Sequence, residues 1–110
     1  MFVDQILNKF TQMEILFITL LVFSGRPNPV CQIDSSDPAF SKITAMLPAP
    51  PGGHIKGGLG YQGFIVKHVI DSQERIISIP KDSDRTLEKL LLTSCNFDES
   101  LKTWLMSEMN

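Results

Sequence analysis

Cysteine and histidine carry most of the reactive chemistry open to a short chain, and here they are Cys31, Cys95, His54 and His68. A cysteine thiolate activated by a histidine is a nucleophile, and the two meet in space rather than in sequence. Cys31 with His54 or His68 is therefore one catalytic pairing that the sequence leaves open. The same residues lack finger, knuckle or His-Glu-x-x-His spacing, so no metal site is expected. Gly58-Leu59-Gly60-Tyr61-Gln62-Gly63 matches Gly-x-Gly-x-x-Gly literally. A dinucleotide fingerprint needs a strand before those glycines and a helix after them, to hold a pyrophosphate on the helix N-terminus. Here a Pro/Gly-rich loop precedes and a strand follows, so no nucleotide and no other cofactor is expected. No acid pair or serine-centred motif has diagnostic spacing.

Two stretches remain in which polar and aromatic heads stand in stiff or glycine-containing loops. The first is Ser24-Gly25-Arg26-Pro27-Asn28-Pro29, which stops the apolar run Ile15–Phe23. Its prolines fix φ, remove backbone donors and push the residues before them out of helical conformation. The second is Leu59-Gly60-Tyr61-Gln62-Gly63-Phe64. One reading is structural: Arg26 and Asn28 tie down carbonyls of a sharp corner, and Tyr61 and Phe64 plug the core. The other makes Arg26, Asn28, Tyr61, Gln62 and Phe64 a partner- or peptide-binding surface, which requires both loops at one edge of the sheet.

The elements that position these loops follow from periodicity. Residues 1–12 place Phe2, Val3, Ile6, Leu7 and Phe10 at helical spacing, an N-terminal extension that can form a short amphipathic helix. A single α+β domain is expected over 13–110. Residues 14–24 are rich in Ile, Phe, Leu and Val on both alternating faces, as in a central strand covered on both sides, or by helices on one and a partner on the other. Val30–Ile33 is a short extended piece. Ser35, Ser36 and Asp37 offer caps for a helix over about 36–47, which Pro48, Pro50 and Pro51 end. The next dozen residues hold six of the seven glycines and read as a long loop.

Residues 63–79 read as a hairpin around the polar turn Asp71–Glu74. Helices follow at about 84–94, capped from Asp82, Ser83 or Asp84, and about 98–109, capped by Asp98. The fold class is α+β, a small antiparallel or mixed sheet with helices on its faces. Phe64–Ile70 and Arg75–Ile79 are the strand edges to which an extended peptide would add. Trp104 is expected to pack rather than to be presented.

Composition narrows the classes. Hydrophobic residues form 43% and charged residues 20% of 110, which fits a folded domain rather than a disordered chain. A formal charge of −2 gives no general attraction to nucleic acid or to anionic membrane. The apolar run falls well short of the ~20 residues that span a bilayer. As a signal peptide it lacks an Ala-x-Ala cleavage site and is abutted by Glu14. Two distant cysteines without a Cys-x-x-Cys read as free thiols, hence a cytoplasmic protein.

A strand ending in Ser-Gly-Arg-Pro-Asn-Pro, a helix, then Leu-Gly-Tyr-x-Gly-Phe leading into a hairpin resembles a family of small bacterial proteins. Some of these are similar to accessory proteins found beside radical-SAM spliceases, which excise a tyramine unit from ribosomally made precursor peptides. The resemblance runs from about Met13 to Ile79. The chain departs from that pattern in having no aromatic within Val30–Ile33 and Gln62 where a basic residue is usual. The resemblance implies a non-catalytic accessory protein whose partner is a larger, radical-SAM enzyme, a precursor peptide, or both. Any iron–sulfur cluster would be the partner's, since two cysteines cannot supply the usual ligands. The alternatives are a small Cys/His-dependent enzyme and a homodimeric structural module.

Overall fold

The computed structural model describes residues 13–23 and 25–109, so the expected N-terminal helix lies outside the described residues. Four strands form one sheet in the order β2-β1-β3-β4, every neighbouring pair antiparallel. They are β1 (Glu14–Leu21), β2 (Val30–Asp34), β3 (Gly63–Ile70) and β4 (Gln73–Pro80). Three helices complete the α+β architecture: α1 (Phe40–Met46), α2 (Arg85–Ser94) and α3 (Glu99–Met109). The Ile15–Phe23 run thus contributes an interior strand of the domain.

Side-chain alternation divides the sheet into two faces. Leu16, Ile18 and Leu20 of β1 are fully buried, beside Cys31 and Ile33 of β2, Phe64 and Val66 of β3, and Ile77 and Ile79 of β4. The same core takes Phe40 and Ile43 from α1, Leu87, Leu91 and Leu92 from α2, and Leu105 and Met109 from α3. All three helices therefore cover this face. The opposite face carries Ile15, Phe17, Leu21, Ile65 and Val69, all half-buried, with Val30 and Ile76 exposed. Among the described residues the helices cover one side only, so of the two arrangements expected for this strand they do not form the one with cover on both sides.

Several expected boundaries shift for local reasons. The helix expected from about residue 36 begins at Phe40, with Ala39 as N-cap and no side-chain cap bond. Asp34 and Asp37 spend their carboxylates on turns, accepting from the amides of Ser36 and Ala39 at 2.9 and 2.8 Å. The hairpin turn tightens to Asp71-Ser72, because Ile70 already pairs with Gln73. At α2 the cap is Asp84, whose Oδ1 accepts from the Leu87 amide at 3.1 Å. Asp98 caps α3 as expected, accepting from Leu101 N at 3.2 Å.

The largest correction concerns the cysteines. Cys31 and Cys95 are joined as a disulfide that ties β2 to the end of α2, with Cα atoms 5.6 Å apart. The 64-residue separation that argued against pairing is a distance in sequence alone. Antiparallel β2 and the return of α2 across the sheet bring the two together. Both are buried. Phe64–Ile70 is also not an edge, since β3 lies between β1 and β4. β4 is an edge, partly closed by the glycine loop: Gly53 N donates to Ser78 O, and Ser78 N to Pro51 O, at 3.0 and 2.8 Å. Gly52 sits at φ +81° in this clasp, where a Cβ would strike the Ser78 carbonyl.

Candidate functional site

Antiparallel pairing puts the exit of β1, the entry of β3 and the exit of β4 at one end of the sheet. Three segments lie at that end: residues 25–29, 59–62 and 81–85. Gln62 joins the end of β1 to the third. Its amide donates to the Leu21 carbonyl at 2.8 Å, and its carbonyl accepts from the Lys81 amide at 2.9 Å. Gly63 follows at φ +123°, where a Cβ would meet the Ile79 carbonyl and the Lys81 amide, so only glycine lets the strands close here. The two loops singled out by sequence thus share one end of the sheet.

Their side chains divide by role. Asn28 closes the corner through amides, not carbonyls: its Oδ1 accepts from Val22 N and Phe23 N at 2.9 and 2.7 Å. This terminates β1, because both donors would otherwise continue its ladder. Arg26 is exposed and lays its guanidinium over the Phe23 ring, 3.8 Å from the centroid. Phe64 is completely buried and packs edge-on to Tyr61, with centroids 5.9 Å apart. Gln62 is half-buried, and its Nε2 donates to the Leu59 carbonyl at 2.8 Å, bracing the turn. Of the five residues, Arg26 alone is classed as exposed; Asn28, Tyr61 and Phe64 hold the scaffold and Gln62 holds the loop.

Beneath this end lies a residue that sequence reasoning passed over. Glu88 is fully buried, 0% exposed, and accepts the Tyr61 hydroxyl at 2.6 Å. It also accepts the amides of Asp82 and Asp84, each at 3.2 Å, and faces Arg85 Nη1 at 3.5 Å. Arg85 in turn pairs with Asp82. Burial first, then the hydrogen bond and charge of Glu88, push the Tyr61 hydroxyl far above the usual phenol range. The arrangement ties the 59–62 loop to the first turn of α2. The signal was present in Asp84-x-x-x-Glu88, a variant of the capping box one residue longer than usual.

Two small grooves flank the Leu59–Gln62 loop. One, about 210 Å³, is lined by Leu59, Gly60, Tyr61, Lys81, Arg85, Trp104 and Glu108. The other, about 230 Å³, is lined by His54, Lys56, Gln62, Pro80, Lys81 and Asp82. Leu59 is 86% exposed and Trp104 46% exposed, so the tryptophan expected to pack inside is presented here.

The Cys/His nucleophile is not available in this structure, because Cys31 is bonded to Cys95. His68 instead lies 2.9 Å from Glu14 Oε1 across the β1–β3 ladder, and His54 is exposed on its loop. Among the described residues no three of His, Cys, Asp and Glu gather as a metal site. No described helix is long and apolar enough to cross a membrane.

The fold defines a small antiparallel α+β domain with its singular loops at one end. No family model, curated protein or solved structure matches the chain.

Proposed function

We propose that the chain is a non-catalytic interaction protein that engages a larger enzyme, a peptide, or both through the loop end of its sheet. The observation that supports this most is that Gln62 ties the end of β1 to Lys81, so that the Arg26 loop and the Leu59–Gln62 loop leave one braced end of the sheet. Side chains presented on braced loops suit recognition, because little further ordering is lost on binding. Arg26 is exposed and has an aromatic support, and arginine is a residue favoured at the centre of interfaces.

The resemblance carried by Ser24–Pro29 and Leu59–Phe64 implies a radical-SAM splicease acting on a ribosomally made peptide as the partner, whereas the expectation of a cytoplasmic chain comes from reading the cysteines as free. A disulfide is uncommon in such a reducing compartment. Cys31 and Cys95 are buried, which restricts thiol attack on the bond. Trapping thiols at the moment of lysis measures the state in cells.

Affinity purification of the tagged chain from its own cells, in parallel with Arg26→Ala, tests the function. The expected result is one larger iron–sulfur enzyme retained in near-stoichiometric amount by the parent chain and lost with Arg26→Ala. Both proteins should melt within a few degrees, since an exposed cation–π contact contributes about 0.5–1 kcal/mol. Equal retention by the two proteins, or a collapse of stability in Arg26→Ala, would sink the reading.

A further inference from the structure

Odd-numbered positions of β1 and β3 face away from the helices, and five of them, Ile15, Phe17, Leu21, Ile65 and Val69, are apolar and half-buried. Lys67 stands among them, its ammonium 5.1 Å from the Phe17 ring centroid and 3.4 Å from Glu74 Oε1, so its charge is met on the β4 side. The chain enters the sheet at Met13, which is fixed to the hairpin turn. Its amide donates to Asp71 Oδ1 at 3.0 Å, and its carbonyl accepts from the Asp71 amide at 2.8 Å. Residues 1–12 therefore join the domain at the border of this apolar face. At about 100° per residue of helix, Phe2, Val3, Ile6, Leu7 and Phe10 share an arc of about 140°, and every polar residue from Asp4 to Gln12 falls outside it.

We propose that this face is the docking site for residues 1–12 of the same chain, laid as an amphipathic helix across β1 and β3. The lengths agree. Nine helical residues, 2–10, span ~14 Å, as does the stretch Ile15–Thr19 at ~3.4 Å per strand residue. Residues 11–13, extended, reach ~10 Å, the usual spacing between packed layers. A second copy fits the face less well. Four strands ~4.8 Å apart and ~20 Å long make a face of about 300–400 Å². That is about half of the ~800 Å² that each partner of a standard stable interface buries. The assignment stands apart from the interaction reading above, and by filling this face it leaves the loop end to a partner.

Hydrogen–deuterium exchange of the full chain, read by mass spectrometry beside a synthetic peptide of residues 1–12, tests this. A free helix this short is marginal in water, so the peptide supplies the unprotected rate. In the full chain the amides of residues 3–10 should exchange about tenfold more slowly or less, and equally so after hundredfold dilution. Ile6→Asp, within the apolar arc, should return them to the peptide rate. Phe17→Ser should do the same from the sheet side while the amides of β1 stay protected; if that variant unfolds, Ile6→Asp alone decides. Peptide-like exchange in the parent chain, or protection indifferent to Ile6→Asp, would overturn the assignment. Protection lost on dilution would overturn it too, because the face would then belong to a second copy.

Discussion

The two faces of the sheet are built from nearly the same kinds of residue and have opposite fates. On one, Leu16, Ile18 and Leu20 of β1 are sealed under three helices. On the other, Ile15, Phe17 and Leu21 of the same strand remain half-buried, with Ile76 of β4 more than half exposed at 56%. The covered face is also covalently fastened, through Cys31–Cys95. Apolar alternation thus says that a strand can be covered on a side, and the helices that follow decide which side is.

That contrast can be tested by graded perturbation. The largest effect belongs to Phe64→Ala, which empties the centre of the covered face and should lower the free energy of unfolding by about 3–5 kcal/mol. A loss below ~1 kcal/mol in chemical denaturation would mean that the core is not where these contacts put it. Reducing the disulfide, or replacing Cys95 with alanine, should cost about 4 kcal/mol, mainly by freeing the unfolded chain. Mass spectrometry of the unreduced protein should find neither cysteine alkylated.

The third test reads the junction under the loop end. Tyr61 is the only tyrosine, so tyrosinate absorbance reports it alone. Its folded pKa is raised, so the folded state holds a proton that the unfolded state releases near the ordinary value of 10.0. The associated stability is complete below that pH and is lost as pH climbs above it. Tyrosinate should appear only together with unfolding; a smooth titration near pH 10 in the folded chain would show that Glu88 and burial do not enclose the hydroxyl. The smallest effect is expected on the open face, where Ile76→Thr should stay within about 0.5 kcal/mol. Light scattering of the same pair sharpens the comparison: a dimer that this change dissociates would mean that a second copy covers the open face.

Most of the fold was legible in residue patterns, because strand and helix periods leave separate marks. Gly63–Ile70 and the following strand, and Asp84 and Asp98 as caps, all stand where the pattern puts them. Misreadings arose where a side chain had two uses. Asp37 looks like a helix starter yet binds a turn amide, so α1 begins later. Cys31 and Cys95 look unrelated because contact across 64 positions depends on topology. Trp104 looks like core because its helix is amphipathic, but Leu105 next to it takes the buried position. The site was half legible. Asn28, Tyr61 and Gln62 stood out through their loops, while Lys56 and Lys81 are ordinary surface lysines until the fold sets them around one groove. Glu88 carried only the faint mark of an overlong capping pattern.

The clasp at Ser78 has a bearing on how the molecule behaves in company. An unpaired strand edge invites lateral addition of other chains, the route to fibrous aggregates. Here one outer strand, β2, is only five residues long and ends in Asp34, while the other, β4, has its Ser78 groups already engaged by Pro51 and Gly53. By the two-residue alternation, the unguarded main-chain groups of β4 are those of Glu74 and Ile76. The glycine loop, whose sequence looks like mere slack, is thereby a doorstop on the longer margin of the sheet. Stiffening or shortening it would expose the cell to a stickier protein before it changed the shape of the fold.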